Sequence, residues 1–273
     1  RNESVVSEII KDVDLVINFA AESHVDRSIS NPKPFINTNI LGTYSILEAI
    51  RKYDKQFIHV STDEIYGDAF GQDSFNEESQ INPSNPYAAT KAAADNLVAS
   101  YHKTYGINCI TTRCTNNFGS FQFPEKLIPK TIIRSIKNLK VPLYGDGSQI
   151  RSWIYVDDHV SAIESLILKG KAGEVYNITA YEEISNKIIV EKILNILEKP
   201  CDNIEYVNDR PGHDKRYSIN CSKIQSQTGW MPKYNFDDAL ERTVQWYLQN
   251  QSWWEPLIDE KTLHPQPWTL SWK

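Results

Sequence analysis

Two polar groups in the N-terminal part of the chain have residue types suited to acid–base chemistry. Thr62, Asp63 and Glu64 form one group, and Tyr87 with Lys91 forms the other. Two adjacent carboxyl groups push their pKa values apart, so that one can be protonated while the other is ionised. A phenol four residues before an ammonium, near the positive end of a helix dipole, should ionise more easily than a free tyrosine. These types predict proton exchange with the hydroxyl of a sugar or alcohol.

Both groups are predicted to lie where an element of secondary structure begins or ends. Residues 56–60 are a short apolar run typical of a buried strand, which places Thr62 at the strand's carboxyl end. Ligands of open α/β sheets bind at that edge. Asn85 and the proline after it are a helix-start signal, so Tyr87 and Lys91 fall on one face of the first helical turns.

The apolar periodicity of the remaining chain repeats this alternation of strand and helix. It predicts helices over residues 3–11, 35–53, 86–106, 184–199 and 236–250, and strands over residues 13–20, 56–60, 108–114 and 175–179. Asn116 and Asn117 are assigned to a polar loop. Strands that alternate with helices pair in parallel. We therefore expect an α/β fold, a Rossmann-type doubly wound parallel sheet with a smaller α/β substrate lobe.

The sequence pattern changes near residue 122, and this change suggests how the two parts divide the chain. We expect the Rossmann-type domain over residues 1–121, rejoined by about residues 152–180. The substrate-binding lobe is expected over residues 122–151 and 181–273.

Composition argues against several classes of protein. The 273 residues include 29 Lys and Arg against 35 Asp and Glu, a net charge of −6, with no basic stripe; nucleic-acid binding is not expected. The apolar runs fall well short of the ~20 residues that a membrane span needs. The 4 cysteines lie at no metal-ligand spacing, so we expect reduced thiols, no metal site and a cytoplasmic protein.

A dinucleotide-binding sheet usually begins with a strand and a glycine-rich phosphate loop. Among the 11 glycines, Gly145 and Gly147 are spaced correctly, but Ile150 occupies the position of the third glycine. Residues 1–273 therefore contain no dinucleotide-binding fingerprint.

The strand, Thr62–Asp63–Glu64 and the capped helix with Tyr87 and Lys91 together resemble the extended short-chain dehydrogenase/reductase family. The Thr-Asp-Glu triplet ahead of Ile-Tyr-Gly narrows the resemblance to the dTDP-glucose 4,6-dehydratases, which make a 4-keto-6-deoxy sugar nucleotide. The match begins inside the usual first domain of that family and runs to about Leu248. The resemblance thus implies that the first strands and the phosphate loop precede Arg1, so that residues 1–273 form an incomplete sheet. A Tyr-x-x-x-Lys pair alone is more often part of an ordinary surface helix, and the surrounding order of elements carries the resemblance.

The resemblance implies a role for each residue of the two groups. Tyr87 would remove the proton from the hydroxyl on carbon four while NAD takes the hydride, and Lys91 would lower the pKa of Tyr87 and bind the nicotinamide ribose. Thr62 would bond the same hydroxyl. Glu64 would then remove the proton on carbon five, and Asp63 would protonate the hydroxyl that leaves carbon six.

The resemblance also implies contacts with cofactor and substrate. The implied cofactor contacts are Ala20, Ala21, Glu22, Ser23, Thr38, Tyr87, Lys91 and Asn117. The implied nucleotide-sugar contacts are Ser23, Thr62, Asn116, Lys126, Leu127, Pro142, Tyr144, Arg151, Asn186, Arg210 and His213. Arg151 and Arg210 suit a diphosphate, because a guanidinium can pair with it through two donors.

Two alternatives remain at this point. A nucleotide-sugar 4-epimerase or decarboxylase of the same family would share Tyr87 and Lys91, but those enzymes lack the acidic pair. A non-catalytic nucleotide-sugar binding protein is favoured only by the missing glycine-rich loop. The base of the nucleotide is open, with uridine sugars as an alternative to thymidine, and the resemblance implies a homodimer built on paired long helices.

Overall fold

The computed structural model describes residues 2–180 and 182–272 of the chain. Its strands are β1 (Leu15–Asn18), β2 (Gln56–Thr62), β3 (Cys109–Cys114), β4 (Asn116–Phe118), β5 (Val141–Tyr144), β6 (Ile150–Tyr155), β7 (Val175–Ile178), β8 (Glu183–Ser185) and β9 (Ile204–Val207). The main sheet is parallel, in the order β1–β2–β3–β7. A second sheet has the order β4–β6–β8, and β5 pairs with β9. The predicted parallel α/β sheet is therefore confirmed.

Helices cover both faces of the main sheet. The α-helices are α1 (Glu3–Lys11), α2 (Val25–Ser30), α3 (Lys33–Phe35), α4 (Gly42–Tyr53), α5 (Pro86–Tyr105), α6 (Leu127–Ile136), α7 (Val156–Lys169), α8 (Asn186–Ile196), α9 (Ser222–Thr228), α10 (Phe236–Gln249) and α11 (Gln251–Trp254). A π-helix covers Ile36–Leu41, and 3-10 helices cover Asp63–Tyr66, Cys201–Asn203, Glu255–Leu257 and Pro267–Thr269. None of the described helices is both long enough and apolar enough to cross a membrane.

Apolar side chains explain why these elements pack as layers. On one face of the sheet, Leu47 of α4 and Val98 of α5 bury against Phe57 of β2. On the other face, Ile58 of β2 meets Leu166 of α7. Successive side chains of a strand point to opposite faces, so one strand serves both layers.

A third cluster lies beyond the main sheet and holds the substrate-side elements together. It joins α6, α8 and α10 through residues such as Ile132, Ile193 and Leu240, and it includes the fully buried Trp254. The short helix α11, which ends at Trp254, therefore contributes to this core. After α7, the chain returns to the main sheet as β7, beside β3.

The structure corrects three details of the predicted elements. The strand predicted over 13–20 is shorter, because the side chain of Asn18 accepts a bond from the backbone of Ala20 at 3.1 Å and turns the chain. The helix predicted over 35–53 contains the π-helical turn Ile36–Leu41. The loop predicted at Asn116 and Asn117 is strand β4, which pairs with β6 and is anchored by a buried phenylalanine.

The helix that carries the Tyr-x-x-x-Lys pair begins and ends as predicted. Asn85 caps its first turn by accepting a bond from the backbone of Ala88 at 2.9 Å, and Pro86 occupies the first helical position. Gly106 ends it in a left-handed conformation with φ 70°.

The turn after the acidic pair depends on Gly67. Its φ is 81°, and a Cβ built on it would overlap the carbonyl oxygen of Asn82. Gly71 in the next loop has a similar φ of 74° but open space around a built Cβ. Substituting alanine at both positions therefore separates two destabilising effects: the left-handed backbone conformation, which both share, and the steric overlap with Asn82, which only Gly67 has.

We predict that Gly71→Ala lowers the free energy of unfolding by ~1–2 kcal/mol, the ordinary cost of a left-handed alanine. Gly67→Ala should lower it by clearly more, because the backbone near Asn82 must also move. Urea unfolding of both variants is the measurement. Equal decreases in the free energy of unfolding would contradict the prediction, because the close approach of Gly67 to Asn82 would then add no destabilisation.

Candidate active site

A cavity of about 570 Å³ opens at the carboxyl ends of β2 and β3. Every implied substrate contact lines it, as do Ala21, Glu64, Tyr87, Lys91 and Asn117 from the implied catalytic and cofactor sets. Four implied residues are not part of its lining: Ala20, Glu22, Thr38 and Asp63. Side chains spread from residue 21 to residue 213 are thus brought to one sheet edge.

The acidic pair occupies a tight turn at the end of β2. Thr62 caps the 3-10 helix that follows, and its hydroxyl donates to Asp63 Oδ1 at 3.3 Å. The Asp63 side chain is buried, and its Oδ2 atom has no hydrogen-bond partner in the described residues. Burial, together with the neighbouring charge of Glu64, raises the pKa of Asp63 to about 8. Asp63 is therefore a protonated acid at neutral pH.

Tyr87 and Lys91 line the cavity from α5, but the expected depression of the tyrosine pKa is wrong. Burial raises the pKa of Tyr87 well above its ordinary value, and the charge of Glu64 adds to this effect. The Lys91 ammonium instead donates to the Val60 carbonyl at 2.7 Å. Spacing placed the two residues on one face correctly, but it could not show that desolvation of the phenol would outweigh the lysine and the helix dipole.

The π-helical turn contributes a residue that sequence reasoning missed. Asn39 is buried and binds both backbone groups of Glu22, accepting at 2.9 Å and donating at 3.0 Å. It also donates to Thr90 at 2.9 Å, and Thr90 bonds the carbonyl of Tyr87. Asn39 thus fixes the loop after β1 against the start of α5. A π-helical turn inside a helix often marks a functional site, but its residues give no clear sequence signal.

A second missed residue, Asp26, lies at the centre of a buried charge network. Arg210 donates to Asp26 at 2.7 Å, Tyr144 donates to it at 2.8 Å, and His24 lies 3.9 Å away. Burial alone would raise the pKa of Asp26, but the charges of Arg210 and His24 and the hydrogen bonds from Arg210 and Tyr144 together outweigh it and hold the pKa well below its usual range. The signal available in the sequence was its place in the run of polar residues that follows β1, although the structure places Asp26 in the first turn of α2. Its partners Tyr144 and Arg210 lie far along the chain.

The other implied cations also have protein partners. Arg151 donates to the carbonyl of Asp214 at 2.9 Å, and its guanidinium lies 4.0 Å from the centre of the Tyr217 ring. Lys126 donates to the carbonyl of Ser23 at 2.5 Å. These contacts fix the positive groups at the wall of the cavity, where they can meet an anionic ligand without much reorganisation.

The wall beside β3 and α7 fits a nicotinamide cofactor. Asn117 Oδ1, Thr115 Oγ1 and His159 Nε2 are buried without hydrogen-bond partners in the described residues, and all three residues line the cavity. A nicotinamide carboxamide offers both a donor and acceptors, so it could satisfy such atoms. Within residues 2–180 and 182–272, no group of His, Cys, Asp and Glu is arranged to hold a metal ion.

Comparison with known proteins places this geometry among nucleotide-sugar enzymes. The family model described as GDP-mannose 4,6 dehydratase matches residues 1–243. A dTDP-glucose 4,6-dehydratase of Xanthomonas campestris is 45% identical over 265 residues, which cover 90% of this chain and 76% of that protein.

Solved structures give the same result. The dTDP-glucose 4,6-dehydratase of Bacillus anthracis in complex with NAD aligns with a TM-score of 0.87 at 44% identity, covering 94% of this chain and 80% of that one. A UDP-glucuronic acid 4-epimerase of Bacillus cereus, in complex with UDP-glucuronic acid and NAD, aligns with a TM-score of 0.85 at 27% identity, covering 89% and 78%.

The raised pKa of Asp63 predicts a pH-dependent contribution to stability. The folded chain keeps this proton up to about pH 8, whereas the ordinary aspartate pKa is 3.8. The stability that the protonated carboxyl confers is thus fully present below the unfolded pKa and is lost as pH rises through the folded one. Asp63→Asn cannot ionise and avoids this loss. As the pH rises between these two values, the free energy of unfolding of Asp63→Asn should therefore increase relative to that of the unsubstituted chain, by on the order of a few kcal/mol in total.

Urea unfolding at several pH values measures this difference, with Asp73→Asn in an exposed loop as the matched control. Parallel stability curves for Asp63→Asn and the unsubstituted chain would contradict the assignment of a buried, protonated Asp63.

Proposed function

Because the chain belongs to the dTDP-glucose 4,6-dehydratase family, we propose that it converts dTDP-glucose into dTDP-4-keto-6-deoxy-glucose, in deoxysugar nucleotide biosynthesis with NAD as cofactor. The observation that carries the proposal is the adjacent acid pair, in which Asp63 holds a proton beside Glu64. Elimination of water needs one group that takes a proton and one that gives a proton at the same pH.

In the first step, residues of β2 and α5 remove a proton from the hydroxyl on carbon four. Tyr87 accepts this proton, and Thr62, which lines the same cavity, orients the hydroxyl. Lys91 holds the nicotinamide ribose. When bound, NAD accepts a hydride at this step and returns it at the end of the cycle.

The second step is the elimination itself. The new ketone acidifies the proton on carbon five, which Glu64 removes from its place on the cavity wall. Asp63 gives its proton to the hydroxyl on carbon six, which leaves as water. Asp63 is not part of the cavity lining, so a small turn of its side chain must accompany substrate binding.

The implied substrate contacts form a positive wall suited to a nucleoside diphosphate. Arg210, Arg151 and Lys126 line the cavity, and Asp26 holds Arg210 and Tyr144 in place. The remaining contacts proposed for the nucleotide sugar are Ser23, Asn116, Leu127, Pro142, Asn186 and His213.

The proposed cofactor contacts lie on the loop after β1, on the π-helical turn, on α5 and on β4. Asn39 fixes the backbone of that loop, which supports roles for Ala20, Ala21, Glu22 and Ser23 as backbone contacts. Asn117 would satisfy its buried Oδ1 atom on the cofactor. Thr38, half-buried on the π-helical turn, is proposed on the resemblance alone.

The division into a partial NAD-binding domain and a substrate lobe remains a proposal, as do a cytoplasmic location and a homodimer. The dimer is supported by exposed apolar side chains on the π-helical turn and the start of α4, where Ile36 is 46%, Leu41 49% and Tyr44 37% exposed. Exposed apolar surface of this kind is typical of an interface. The location is supported by Cys109 and Cys114, which are buried and form no disulfide.

The sibling reactions are less well supported. An epimerase or decarboxylase needs the tyrosine and lysine but has no use for a buried protonated acid next to a second carboxyl group. The epimerase structure is also less similar, at 27% identity against 44% for the dehydratase.

We predict that Glu64→Gln lowers turnover of dTDP-glucose by ~100-fold or more, the usual contribution of a general base. Formation of the 4-keto sugar is followed by its absorbance in alkali, with NAD added. Oxidation at carbon four does not need Glu64, so reduced nicotinamide should appear when substrate is added to the variant. Glu78→Gln, on an exposed loop, is the matched control. Unimpaired product formation by Glu64→Gln would contradict the proposal.

A further inference from the structure

We propose that Glu64 exchanges its proton with bulk water through a chain of hydrogen-bonding groups formed by Tyr217, Asp214 and Ser84. This inference rests on the proposed function, in which Glu64 takes a proton from carbon five. The product also carries a hydrogen on carbon five, so Glu64 must supply a proton again after water has left.

The chain of groups is continuous from the cavity to the surface. The Tyr217 hydroxyl lies 3.2 Å from Glu64 Oε2 and 2.7 Å from Asp214 Oδ2. Ser84 donates to the same Asp214 oxygen through a short hydrogen bond. Glu64 lines the cavity, Tyr217 and Asp214 are buried, and Ser84 is exposed. Each member can accept and pass on a proton.

Tyr217 stands between two carboxyl groups but has only one hydroxyl proton to donate. When Glu64 is protonated, it can give its proton to the Tyr217 oxygen while the Tyr217 proton moves to Asp214. Asp214 then passes a proton to Ser84 Oγ as the Ser84 proton moves to water. The transfer returns every hydroxyl to its neutral form and releases one proton. Burial and the charge of Glu64 raise the pKa of Tyr217 well above its ordinary value, so the phenol keeps a proton to pass on.

Several contacts fix the positions of Tyr217, Asp214 and Ser84 relative to one another. Arg151 lies 4.0 Å over the Tyr217 ring and donates to the Asp214 carbonyl at 2.9 Å. Gly212 approaches the Ser84 backbone so closely that a Cβ would lie 2.9 Å from its carbonyl oxygen. The Asn85 side chain donates to Glu64 at 3.3 Å, but an amide cannot relay a proton in this way. A bound sugar would cover the cavity side of Glu64 and leave the Tyr217 side as the route to water.

The test is the source of the hydrogen on carbon five. The full chain, loaded with NAD, converts unlabelled dTDP-glucose in D₂O, the reaction is stopped early, and deuterium at carbon five is counted per product molecule by mass spectrometry and proton NMR. The unsubstituted chain should incorporate solvent deuterium. Ser84→Ala and Asp214→Asn should each incorporate severalfold less and return the original hydrogen to carbon five.

Ser100→Ala is the matched control, because Ser100 is an exposed serine of α5 whose hydroxyl bonds the Leu97 carbonyl of its own helix. It should incorporate as much deuterium as the unsubstituted chain. The ratio per product molecule does not change merely because a variant folds less well or turns over slowly. Equal incorporation in all four proteins, or an equal loss in Ser100→Ala, would overturn the relay. Absence of product from the unsubstituted chain would instead refute the proposed function.

Discussion

The burial of one carboxyl group beside another is the interaction on which the rest of the site depends. Desolvation and the charge of Glu64 both raise the pKa of Asp63, and the opposing charge of Arg151 and hydrogen bond from Thr62 are too weak to reverse them. The fold achieves this burial by ending β2 in a tight 3-10 turn that closes on Gly67. The geometry of the sheet edge therefore decides which carboxyl group holds the proton.

The same cavity also contains buried charged groups, and each would be costly to bury without its partner of opposite charge. Asp26 is almost fully buried and is stabilised by Arg210 from a loop near the other end of the chain. Removing one member of such a pair is costly, because the remaining charge stays buried. This pairing joins α2 to the substrate-side elements, so the walls of the site are held in place by the groups that we propose to meet the diphosphate.

Local patterns in the sequence were enough to predict the parallel sheet and the position of Tyr87. Apolar runs marked β2 and β3, and the Asn85 cap with the proline after it marked the start of α5 correctly. Asn116 and Asn117 were misassigned to a loop because both are polar residues that line the cavity, and only the pairing with β6 reveals a strand. The π-helical turn that carries Asn39 has no comparable signal.

Properties that depend on distant residues could not be predicted in this way. Asp26 is paired with Tyr144 and Arg210, more than a hundred positions away, and Glu64 bonds Tyr217, which in turn bonds Asp214, about 150 positions further along the chain. The pKa of Tyr87 was misjudged because spacing gives the neighbours of a group but not its exposure to water. The roles proposed for these residues come from the family resemblance, whereas the directions of their pKa shifts come from the structure.

The central claim is that Asp63 carries a proton at neutral pH, and infrared spectroscopy tests it directly. A protonated carboxylic acid has a carbonyl stretch that an ionised carboxylate lacks. In the difference spectrum between the unsubstituted chain and Asp63→Asn at neutral pH, we expect this band to belong to Asp63 and to disappear as the pH passes about 8. A spectrum without the band, or with a band that titrates at the ordinary aspartate pKa, would contradict this account of the acid pair.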